Sequence, residues 1–137
     1  MANDPTAAIA AAVFARLAGI TYTEGGVTLA VPVYQRAPDE VLPAIVVVDA
    51  VDLQAAESKD ATPRRASVSI VTIYRGRSKP SAQAIVGSVF NLLEGYKLTV
   101  AGFSVSECRL QASGVGEEVT DANLVHVGRQ TFDLIVL

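Results

Sequence analysis

The chain carries no tryptophan, one cysteine, one histidine and one methionine, and only 6% of its residues are aromatic. Cys108 has no partner for an intrachain disulfide, and a structural zinc site lacks its ligands. Nothing therefore requires an oxidising compartment. Long apolar runs are scarce as well. The longest near the start, Ala7 to Ala15, is too short to span a bilayer. The chain opens with an acidic residue where a secretory signal needs positive charge, so neither a signal nor a membrane role is expected. Positive charge is the lesser sign. A formal net charge of −3 gives no long-range attraction to nucleic acid, and any basic site has to be local.

Hydrophobic residues are plentiful. They make up 50% of the 137 residues, and the mean hydropathy is +0.37. The length fits one domain, 1–137. Such a composition implies a large core, or apolar surface buried against copies or partners.

The patterns read helix, strands, helix, strands. Asp4-Pro5 is a helix start, with Asp as the cap and Pro at the first helical position. Ile9, Val13 and Leu17 follow at helical spacing, and Gly19 is a stop. Glu24-Gly25-Gly26 is a turn. Val27, Leu29, Val31 and Val33 alternate as a strand, with Pro32 placing it at an edge or ending it. Ile45 to Val48 is a β-branched run suited to a buried strand. Asp49 and Asp52 read as polar residues that end it. "QAAESKDATPRR" reads as a surface loop.

Ala66, Val68, Ile70, Thr72 and Tyr74 line one face of the next strand; Ser67, Ser69, Val71 and Ile73 line the other. A second helix follows, capped by Ser78 or Lys79, with Pro80 in its first turn. Its stripe is Ala82, Ile85, Val86, Val89, Phe90, Leu92 and Leu93, and Gly95 closes it. Phe90 and Leu93 are expected to face the sheet. "YKLTVAG" and "FSVSECRLQA" read as short strands, and "SGVGEEVTDAN" as a Gly-rich acidic loop. In the final strand Gln130, Phe132, Leu134 and Val136 share one face. The expected class is α+β: a mostly antiparallel sheet with two helices packed on one face. Its edges are expected at the strand with Pro32, the 52–63 loop and the final strand.

No catalytic, metal or cofactor set emerges. Cys108 has no evident base and reads as a small buried hydrophobe. His126 lies in a strand pattern as a structural or solvent-facing residue. Glu117, Glu118 and Asp121 lack the alternating ligand spacing of a calcium loop, and "GVG" lacks the strand and helix of a dinucleotide fingerprint. Arg75, Arg77 and Lys79 remain. They alternate through a turn, and Arg64 and Arg65 sit at the other end of the same strand. Phosphate contact is physically reasonable, as is a solvated junction or a protein contact.

Several stretches resemble the bacteriophage tail completion, or tail terminator, family, also found in gene transfer agents. These are the Ala-rich first helix, Val33-Tyr34-Gln35-Arg36-Ala37-Pro38, "PAIVVVD", "ASVSIVTIYRGRSKPSAQAIVGSVFNLLEG", "LTVAGFSVSECRLQ" and "HVGRQTFDLIV". The segment "ITYTEGGVTLAVP" departs from the family as an insertion or an extra hairpin. The resemblance implies a non-enzymatic virion protein without cofactors. It implies a homo-oligomeric ring, usually of six, that caps the tail tube at the head–tail junction after assembly in the host cytoplasm. Its partners would be the tail tube protein and a head–tail connector, with genome DNA passing through unbound. Arg75, Arg77 and Lys79, with Glu117 and Glu118, are the candidate protein-interface residues. A small oligomeric ligand-binding or regulatory domain, or a head–tail adaptor subunit, stands as the alternative.

Overall fold

The computed structural model describes residues 4–54, 64–120 and 123–137. Most of the "QAAESKDATPRR" segment, and Asp121, lie outside them. Helix α1 (Thr6–Leu17) buries Ile9, Val13 and Leu17. Its cap sits one residue later than the sequence suggests: Pro5 is the N-cap, and the Thr6 amide donates to Asp4 Oδ1 at 2.8 Å. A separate hairpin follows, β1 (Thr21–Glu24) and β2 (Val27–Ala30). Gly25 and Gly26 both take positive φ, 58° and 78°, as a two-residue turn requires.

The main sheet has β3 (Val33–Tyr34), β4 (Ala44–Leu53), β5 (Arg64–Arg75), β6 (Arg109–Thr120) and β7 (Asn123–Val136) in the order β3-β4-β5-β7-β6. Only β3 and β4 run parallel. The expected α+β class is the observed one. The edges are β3 and β6; the final strand is interior, because β6 pairs with its outer side. Asp49 does not end β4. It sits at a register shift between Val48 and Ala50, and the strand continues through Asp52 to Leu53.

Both helices pack on one sheet face. Helix α2 (Lys79–Leu93) buries Ser81, Ala82, Ile85, Val86, Val89 and Leu93. Of these, Ala82, Ile85, Val89 and Leu93 join a core cluster with Val68 and Ile70 of β5, Phe132 and Leu134 of β7, and Val46 and Val48 of β4, the strand on which α1 lies. Burial of the large aliphatic side chains contributes ~1.5–3 kcal/mol each. Phe90 departs from expectation. It is half-buried and stands outside this cluster, whereas Leu93 is 1% exposed. The 3.6-residue period rotates position 90 to the flank of the stripe that Val86, Val89 and Leu93 define.

Two further expectations are corrected. Residues 96–108 form isolated bridges, Lys97 with Glu107 and Val100 with Phe103, so the first expected strand is absent and the second is present only over 109–112, at the start of β6. Ser113 to Thr120, expected as loop, belong to β6. Pairing with the apolar face of β7 overrides the turn propensity of Gly114 and Gly116.

Candidate assembly surface

One end of the sheet gathers the candidate interface residues. Arg75 is the last residue of β5, and its amide donates to Pro43 O at 2.8 Å. Gly76 then turns the chain across the Tyr74 ring and donates to Leu124 O at 3.1 Å. A Cβ on Gly76 would stand 2.8–2.9 Å from Tyr74 ring and hydroxyl atoms, so a side chain has no room. Ser78 caps α2, accepting from the Ser81 amide. Arg77 therefore projects from a turn held at both ends, and Lys79 opens the helix.

Beneath this turn lies a polar knot. Tyr74 donates its hydroxyl hydrogen to Glu24 of the hairpin. The Ser81 hydroxyl lies 3.4 Å from the same carboxylate and 2.9 Å from Ser78 Oγ. Burial first, then the Glu24 hydrogen bond, raises the Tyr74 phenol above its ordinary pKa. The sequence pattern does not single out Glu24 for this role; a turn-flanking carboxylate gives no hint of a partner fifty residues away.

The acidic pair is brought to the same end but not into contact with the turn. In register, Arg75 stands opposite Val125, and Val125 opposite Glu118. Arg75 and Glu118 thus share the helix-free face two strands apart, ~10 Å. Glu118 lies 3.8 Å from Arg129. Glu117 points to the other face, 3.4 Å from Nε2 of fully buried His126. Arg75, Arg77 and Lys79 are all exposed and form no ion pair among the described residues. Arg64 and Arg65 open β5 at the opposite end.

Among the described residues no three histidine, cysteine or carboxylate groups cluster as metal ligands. Cys108 is buried, and burial followed by Glu94 pushes its thiol up to about 11. Nothing described places a base against it. The arrangement offers exposed charge of both signs on rigid supports, which suits contact with another protein surface.

A chain in the solved structure of the virion of a native gene transfer agent particle has this fold. The TM-score is 0.71 at 17% identity, over 96% of this chain and 96% of that one. The likeness establishes the architecture. No family profile matches the chain, and no curated protein does. Among the described residues no helix is long and apolar enough to cross a membrane.

Proposed function

We propose that this chain is a structural protein of a phage-like virion, closing the end of a tail tube as a homo-oligomeric ring of six. The observation that carries the reading is the near-complete mutual coverage with a chain of a gene transfer agent virion. The geometry supports it further. A long β6 and a two-residue β3 leave open edges at opposite sides of the sheet. Open edges on both sides invite endless pairing unless the contacts close on themselves. In this reading Arg75, Arg77 and Lys79 of one subunit meet Glu117 and Glu118 of the next. The ring sits at the head–tail junction of the virion, between the tube protein and a connector, and is assembled in the host cytoplasm. Genome DNA passes through without specific contacts, and no catalysis or cofactor is involved. The test is imaging of the purified protein added to tails that lack their cap. Six-fold rings at the tube end are expected; bare tube ends at saturating protein would overturn the reading.

A further inference from the structure

The sheet has a second face that neither helix covers. Across β5, β7 and β6 it is built in rows. Arg75, Val125 and Glu118 form the first; Ile73, Val127 and Gly116 the second; Val71, Arg129 and Gly114 the third. Ile45 and Val47 of β4 extend the second and third rows. The second row is therefore apolar, with Arg75 and Glu118 at one end and Arg129 on the central strand. Ile45, Val47, Val125 and Val127 are already buried within the chain, which leaves the half-buried Ile73 and Val71 and the two glycines as the surface open to a partner.

Gly114 and Gly116 are the unexplained feature. Glycine weakens a strand interior, and there it often marks close approach by another backbone or a ligand. Neither residue has positive φ, and a Cβ on either would meet nothing within 4 Å. The chain's own packing has no need of them. Together with Ala112, Val127 and Arg129 they floor an open trough of about 460 Å³.

We infer that this face pairs with the same face of a second copy, about a two-fold axis running along β7. Such an axis leaves β7 over β7 and exchanges the two flanking strands. Arg75 of each copy then lies over Glu118 of the other. Ile73 lies over the second copy's Gly116, and Val71 over its Gly114, so branched side chains fill the trough. Opposite charges and large-on-small contacts arise together from one operation. The strands of the two sheets stay aligned, as in face-to-face sheet packing. Glu118 lies 3.8 Å from its own Arg129, between that cation and the second copy's Arg75, which lessens the repulsion of the two Arg129 side chains near the axis.

This pair is distinct from the proposed ring, whose contacts run head to tail. Arg75 and Glu118 serve both, so pairing and ring closure exclude each other, and the pair is a resting form of the free chain. The test is mass by sedimentation equilibrium over a concentration series. The wild type is expected to reach the mass of a dimer. Glu118→Arg and Arg75→Glu should each weaken pairing by about tenfold or more, since like charges then face each other. The double exchange Arg75→Glu/Glu118→Arg should restore it. Gly116→Val fills the trough from within and should leave a folded monomer, with unchanged circular dichroism, that still caps tails. A wild type that stays monomeric throughout, or Gly116→Val pairing as tightly as wild type, would overturn the inference. Neither result bears on the ring, which stands or falls on the tails.

Discussion

The Tyr74 hydroxyl donates to the Glu24 carboxylate, and this bond fastens the β1–β2 hairpin to the main sheet. The Tyr22 ring meets the Tyr74 ring edge-on, with centroids 5.9 Å apart, and adds an apolar contact beside it. The hairpin's outer strand β2 is exposed along its length, so the hairpin is held from its inner side, by β1 against α2 and by buried Ile20, Tyr22 and Val31. Tyr74→Phe keeps the ring and removes the donor. A hydrogen bond to a charged group contributes ~1.5–3 kcal/mol, and a loss of that order is expected in urea unfolding. Hydrogen exchange should quicken first at the hairpin amides. Exchange unchanged there would mean that the buried contacts of Ile20, Tyr22 and Val31 hold the hairpin without that bond.

Gly128 marks a close approach of α2 to the sheet. A Cβ there would come 2.5 Å from Val86 Cγ2. Val86 is β-branched on a helix and cannot rotate aside freely. Gly128→Ala should therefore destabilise by ~1–3 kcal/mol through overpacking. Val86→Ala in the same chain should recover part of that loss, a coupling that a double-mutant cycle reads directly.

Cys108 gives a pH dependence with a definite sign. Burial, and secondarily Glu94, raises its thiol from 9.0 to about 11. The folded chain thus holds this proton more tightly than the unfolded one. The stability it contributes is complete below pH 9 and is lost as pH rises from 9.0 to about 11. Cys108→Ala lacks that dependence. Its stability deficit against wild type should shrink across the window, followed by urea melts on either side of it. A constant deficit would show that the thiol titrates alike in both states.

Core positions are legible in the sequence because burial enforces periodicity. Ile9, Val13 and Leu17 on α1, and Ala66 to Tyr74 on β5, stand on the faces their spacing indicates. Gly25-Gly26 is legible because its conformation admits little else. Strand β6 is not, since Gly114, Gly116, Glu117 and Glu118 carry turn and surface propensities, and only pairing with β7 makes them a strand. Phe90 escapes the pattern because hydrophobicity marks a stripe without marking its margin. The candidate interface is legible as charge and not as placement: the common end of Arg75 and Glu118 follows from a strand order in which β7 inserts between β5 and β6.

Leu93 and Phe90 give the sharpest contrast within α2. Leu93 belongs to the buried cluster beside Ile85 and Val89, so Leu93→Ala leaves a cavity and should cost ~2–5 kcal/mol. Phe90 is half-buried outside that cluster, and Phe90→Ala should cost less than Leu93→Ala. Equal losses in urea melts would place Phe90 against the sheet after all.

Arg77 and Lys79 are the turn cations that the two-fold pair does not use, so they isolate the proposed ring contact. Both project from a support made rigid by Gly76 against Tyr74 and by the Ser78 cap. Reversing surface charges on such a support changes the surface and not the core. Arg77→Glu/Lys79→Glu should melt within ~0.5 kcal/mol of wild type. On tails lacking their cap it should form rings only at higher protein concentration, because Glu117 of the neighbouring subunit now faces like charge. High salt should narrow the gap between variant and wild type, since exposed charges are screened. Compensation is the decisive arm: adding Glu117→Lys to the reversed turn should bring capping back. That substitution also removes the carboxylate beside buried His126, so its melting curve has to be taken alongside. Capping that is unaffected by the reversal in low salt would leave the turn as a solvated junction and move the ring contact elsewhere on the sheet.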